Sequence, residues 1–96
     1  MYLSEEVRIK RIVIDVLKPR EISIIDLSRA LCEAYGADNV SIVVKEVDAK
    51  TETVSIVITG TDVDYEDIVE TIDEYGCAIR SVDEIEVYKS SEKGTK

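Results

Sequence analysis

The stretch Arg11-Ile-Val-Ile-Asp-Val-Leu-Lys-Pro19 limits most strongly what this chain can fold into. Its crowded β-branched residues suit a pleated, half-buried surface better than a helix. Read as a strand from Arg8 to Leu17, it divides with period two. Ile12, Ile14 and Val16 share one face, and Arg11, Val13, Asp15 and Leu17 share the other. The first set is wholly apolar and is expected to face a helical layer. Pro19 has no N–H to give a ladder and ends the strand.

The following segments supply that layer and the rest of a sheet. Ser23 with Asp26 three residues on resembles a capping box, and the spacing predicts a helix to about Tyr35, with Ile24, Leu27, Leu31 and Ala34 on its buried stripe. Gly36 stands as its C-cap. Residues 39–47 predict a second strand, with Val40, Ile42 and Val44 on one face and Ser41, Val43 and Lys45 on the other. A hairpin loop at 48–52 leads to a returning strand at 53–59, where Val54, Ile56 and Ile58 point inward. Asp64 caps a second helix with the stripe Tyr65, Ile68, Val69, Ile72 and Tyr75, and Gly76 ends it. Residues 77–88 predict the last strand, with a bulge or bend at Asp83-Glu84.

Strand, helix, strand, strand, helix, strand, with right-handed crossovers, predicts an α+β fold, the ferredoxin-like βαββαβ sandwich. Its four-stranded antiparallel sheet has the order 4-1-3-2, and two helices cover one face. The domain is expected to span residues 8–88, with residues 1–7 a flexible lead-in and 89–96 a solvated tail.

At 96 residues the chain forms one domain. A chain this small buries only roughly 60–65% of its unfolded surface, so association with other copies helps it. The net charge of −9 disfavours nucleic acid as a partner, because binding a polyanion needs Lys and Arg to replace counterions. The longest apolar runs, such as Ile12-Val13-Ile14, are too short to span a membrane. Glu5 and Glu6 stand where a signal peptide would be apolar, so a cytoplasmic location is expected. Cys32 and Cys77 lie far apart with no His to complete a zinc site, and both are expected as reduced, partly buried thiols. A single Asn, no Gln and many Glu, Lys and Arg lean towards a thermophile.

Three features carry the candidate chemistry. The face opposite the helices mixes Val13, Leu17, Val43 and Val57 with charged and hydroxyl residues, and Val82 or its neighbours in strand 4 join it. A mixed apolar face of this kind predicts contact between copies of the chain. Asp15, within an inner strand, needs a partner, and Arg80 of the neighbouring strand or Lys45 of another copy can supply one. Glu46, Asp48 and Glu52 put three carboxylates around the hairpin, the oxygen donors that calcium or magnesium take, with Asp15 and Asp83 as further candidate ligands. Asp62-Val-Asp-Tyr-Glu-Asp67 is not a calcium loop, since Asp67 stands where glycine is required. Segment 61–76 nevertheless holds seven acids and no base, either a solvated face or a patch for something basic such as Arg8–Arg11 of a neighbouring copy.

Enzyme readings find no support: there is no His, no Gly-rich phosphate loop and no nucleophile-elbow Ser. Acylphosphatases, RNA-binding domains and metallochaperones share the topology. Here the anion loop after strand 1, the sheet aromatics and the C-x-x-C that they respectively use are missing.

Ile12-Val-Ile-Asp-Val-Leu-Lys-Pro19, Glu46-Val-Asp48, Asp64-Tyr65 and Ser81-Val-Asp-Glu84 together resemble a small archaeal family, the domain of unknown function number 211. The similarity covers residues 8–88 and is most specific in the first strand. It implies a ferredoxin-like fold and ring-like homo-oligomers, with no established activity. Two expectations follow. One is a self-assembling protein whose acidic surface binds divalent cations; the other is a regulatory module that holds a small metabolite between subunits.

Overall fold

The structure, a computed structural model, describes residues 5–91. Six elements follow one another: β1 (Glu5–Pro19), α1 (Ile24–Cys32), β2 (Ala37–Val47), β3 (Thr51–Gly60), α2 (Tyr65–Glu74) and β4 (Ala78–Ser91). The strands form one antiparallel sheet in the order β2-β3-β1-β4, which counted from the β4 edge is 4-1-3-2. No described helix is long and apolar enough to cross a membrane.

The centre of the sheet follows from simple alternation. Ile12, Ile14 and Val16 of β1 lie opposite Ile58, Ile56 and Val54 of β3, and directly opposed residues share a face. All six are buried, with Leu27 and Leu31 of α1 and Ile68 and Ile72 of α2 packed over them. Both helices therefore lie on one face of the sheet. Each such side chain contributes about 1.5–3 kcal/mol by leaving water, so this floor is the main source of stability.

The helix starts are capped where expected. Ser23 Oγ accepts from the Ile25 and Asp26 N–H groups at 3.0 and 3.3 Å, and Asp64 Oδ1 accepts from those of Glu66 and Asp67 at 3.0 and 3.2 Å. Helix α1 stops at Cys32 rather than Tyr35, because the Glu33 and Ala34 N–H groups turn back to the Ala30 and Leu31 carbonyls. Val69, expected on the buried stripe of α2, is exposed instead.

Both terminal strands are longer than the sequence suggests. Residues 5–7 and 89–91, assigned to a flexible lead-in and tail, pair with each other: Glu5 with Ser91, Glu6 with Ser90 and Val7 with Lys89. Each end provides the backbone partner that the other lacks, a pairing that no local pattern reveals. Residues 1–4 and 92–96 of those two segments lie outside the described residues.

The β1–β3 ladder runs without a shift from Arg11 opposite Thr59 to Pro19 opposite Thr51. The outer ladders do not. Their registers skip Asp38 and Lys45 in β2, Arg80 and Asp83 in β4, and Lys10 in β1. A bulged residue and its neighbour share one partner and one side of the sheet. Ile79, Val82 and Ile85 stand three apart, yet the skips leave all of them on the helix side, opposite Val16, Ile14 and Ile12. Val82 is thus not on the open face; Ala78, Ser81 and Glu84 occupy that face in β4.

Two glycines meet where the α1–β2 link crosses the end of β3. A Cβ on Gly60 would lie 1.8 Å from the Gly36 carbonyl oxygen, and one on Gly36 would lie 1.8 Å from that of Asp62. Gly36 also has a φ of +80°, which L side chains rarely adopt.

Candidate functional site

The open face of the sheet is held by long polar side chains. Arg11 Nε donates to Glu84 Oε2 at 3.0 Å, while Arg80 reaches Asp15 Oδ2 at 3.7 Å and donates to Thr53 Oγ1 at 3.3 Å. Asp15 therefore meets the partner expected for it within its own chain. With Arg80 exposed, such a pair contributes only about 0–1 kcal/mol. Val13, Leu17 and Val57 lie half-buried among these arms, and Val43 stands exposed beside the bulged Lys45.

The hairpin does not gather its carboxylates. Glu46 lies opposite Thr53 on the open side, whereas Glu52 lies opposite Lys18 on the helix side. Asp48 sits in the turn, where its N–H donates to the Thr51 carbonyl at 2.8 Å. Asp83 accepts from Ser81 Oγ at 2.7 Å. Among the described residues, no three His, Cys, Asp or Glu side chains converge to hold a metal ion. The expectation of a joint ion site at Glu46, Asp48 and Glu52 is corrected: sheet alternation turns Glu46 and Glu52 to opposite faces.

Glu52 has another task. Lys18 is 1% exposed, and its Nζ sits 3.0 Å from Glu52 Oε1, donating also to the Pro19 carbonyl at 2.8 Å and to that of Ile22. A buried ammonium is tolerated only with such partners. The site escaped the sequence reading although its signal was there. Lys18 continues the even-numbered face of Ile12, Ile14 and Val16, as Glu52 continues that of Val54, Ile56 and Ile58. Cys77 is buried nearby, and desolvation pushes its thiol pKa up, with the Lys18 charge pulling the other way. Cys32 is exposed, not partly buried as expected.

The acids of α2 serve local roles at two positions. Asp64 caps the helix, and Asp67 Oδ2 accepts from the Tyr35 N–H at 3.2 Å, fastening the end of the α1 region to α2. Glu66, Glu70, Asp73 and Glu74 remain exposed.

The largest uncovered apolar features lie at the two edges of the sheet, on the helix side. Along β4, a shallow pocket lined by Ile9, Ile12, Tyr65, Val82 and Ile85 continues outward to Val87 and Val7. Val82, Ile85, Val87 and Val7 are 47%, 52%, 51% and 62% exposed. Along β2, Val44 lies on the helix side by regular alternation, the skip at Lys45 brings Val47 to the same side, and both are exposed.

Comparison with known proteins agrees with the resemblance seen in the strand motifs. An uncharacterized protein of Methanocaldococcus jannaschii (MJ0319) is 42% identical over 77 residues, 80% of this chain and 79% of its own length. The family model for domain of unknown function 211, described as Uncharacterized ArCR, matches residues 10–91, from the bulge in β1 to the end of β4. The chain belongs to that family.

Proposed function

We propose that this protein is a ferredoxin-like domain that assembles with copies of itself into a ring and binds divalent cations at its acidic surface. One observation carries the reading: apolar side chains stay uncovered at both edges of the sheet, Val82, Ile85 and Val87 at one and Val44 and Val47 at the other. Patches on opposite edges give a protomer two contact surfaces, the requirement for closing a ring of identical chains. Open-face residues Val13, Leu17, Val43 and Val57, with Asp15, Lys45 and Arg80, flank the same strands and extend the contact area.

The charge of −9 makes copies repel one another, and calcium or magnesium between them offsets that repulsion. Oxygen ligands for such ions come from more than one copy. Glu46, Asp48 and Asp83 are the suitable donors, since Glu52 is committed to Lys18 and Asp15 to Arg80. The reading contains no catalytic step. A second reading, a regulatory module that holds a small apolar metabolite between copies, draws on the pocket lined by Ile9, Ile12, Tyr65, Val82 and Ile85.

Light scattering on the size-fractionated protein at micromolar concentration tests the assembly. A mass several times that of one chain is expected, and a single-chain mass sinks the reading. A calcium or magnesium series against a chelator tests the ions: the melting temperature rises with cation, and an unchanged one removes them.

A further inference from the structure

We propose that two hollows beside α2 hold an extended, arginine-rich segment of another protein. The first hollow, of about 420 Å³, is lined by Val7, Ile9, Val63, Tyr35 and Tyr65. Asp62, Asp64 and Glu66 complete its wall. Backbone bonds fix its frame: the Val63 N–H donates to the Ile9 carbonyl at 3.0 Å, and the Asp64 N–H to that of Tyr35 at 2.9 Å. Tyr35 is 68% exposed, a large aromatic side chain that the chain itself leaves uncovered. A second hollow, of about 340 Å³, lies between the helices, where Ala30 and Ala34 face Glu70, Glu74 and Tyr75, with Glu33 beside them. The two adjoin where Asp67 Oδ2, on the wall of the second, accepts from the Tyr35 N–H. No Lys or Arg lines either hollow.

Local structure accounts for only some of these acids. Asp64 caps α2, Asp67 holds Tyr35, and an acid in the first turn suits the helix dipole. Glu70 and Glu74 have no such role. With Glu66 they form a row four residues apart along one side of α2, where like charges destabilise a helix. Glu74 also stands in the last turn, which holds no base although the dipole favours one there. Among the described residues, none of the three has a cationic partner. A cation from outside the chain explains a row that works against its own helix.

The occupant follows from charge and shape. Carboxylates beside tyrosine rings suit a guanidinium, which pairs with a carboxylate through two N–H groups and stacks on an aromatic face. The apolar residues of the first hollow cover its methylene stem. The ten residues of α2 extend about 15 Å, roughly the reach of four or five residues of extended chain. Side chains of one short segment therefore reach both hollows. A second copy is a poor occupant. It carries −9, and its Arg8 and Arg11 lie in an inner strand, tied to Glu6 and Glu84.

Fluorescence anisotropy on the full chain, in the presence of a chelator, tests the proposal with a labelled peptide of alternating arginine and glycine. Saturable binding is expected, and its absence overturns the proposal. Glu66→Gln with Glu70→Gln should weaken binding at least tenfold. Glu46→Gln with Asp48→Asn removes the same charge from the hairpin and should weaken it less than threefold. Equal losses overturn the site, because the peptide then senses net charge alone. Tyr35→Ala leaves the charge unchanged and should weaken binding at least twofold; parent affinity in this variant also overturns the site. Spermine should displace the peptide only at a higher concentration of charge, and displacement at matched charge overturns the protein occupant. Far-ultraviolet circular dichroism reports folding, and should one variant of the hollows unfold, the other gives the answer.

Discussion

β1 and β3 oppose each other in unbroken register, while β4 pairs with the other edge of β1 only by skipping residues on both strands. The inner ladder is sealed beneath two helices, so simple alternation puts every even-numbered side chain of β1 from Ile12 to Lys18 in the same dry layer. At the outer ladder the helical cover runs out. There the backbone departs from alternation, and the departures keep an apolar row together on the uncovered side. Interior strands take their order from burial alone. In the edge strands the register shifts, as well as burial, decide which side chains share a face.

The sharpest way to break this contrast is inside the regular ladder. Ile56→Ala, in β3, leaves a cavity in the buried core cluster and is expected to cost about 2–5 kcal/mol in urea unfolding. Ile85→Ala, at a half-exposed edge position, should cost less than half as much, and equal costs would erase the distinction between the two ladders. Next comes the polar end of the dry layer. Glu52→Ala leaves the Lys18 ammonium with carbonyl partners alone and is expected to cost about 1–3 kcal/mol. Lys18→Met with Glu52→Leu should recover most of that loss, because a well-packed apolar pair replaces a buried ion pair at little net cost. The smallest effect belongs to the open face. Asp15→Asn disturbs a partly exposed pair and is expected to change stability by less than about 1 kcal/mol. A larger loss, measured by the same unfolding curve, would show that the pair is worth more than a partly exposed ion pair.

The sequence was informative where burial and local chemistry agreed. The β-branched run at 11–17, the caps Ser23 and Asp64 and the glycines after each helix define the elements, because each acts within a few residues. The bend at Asp83-Glu84 was also legible, since two acids interrupt an apolar pattern there. The direction in which that bend sends Val82 and Ile85 was not, because it depends on register against β1. Pairing of residues 5–7 with 89–91 was invisible for the same reason: the partners are separated by the whole domain. The hairpin carboxylates misled because closeness in sequence was read as closeness in space. Lys18 was passed over because a lysine near a strand end reads as solvated, and its place on the dry face is plain only once the even positions are followed past Val16.

The crossing of Gly36 and Gly60 has a genetic consequence. The atoms that a new side chain would strike there are carbonyl oxygens, of Asp62 for Gly36 and of Gly36 for Gly60. A clash with a side chain can be cured by shrinking that side chain, but every residue type carries the same carbonyl. Substitutions at these two positions should therefore have no local second-site suppressors. In a mutational scan with revertant selection, loss of either glycine should be repaired by restoring the glycine itself.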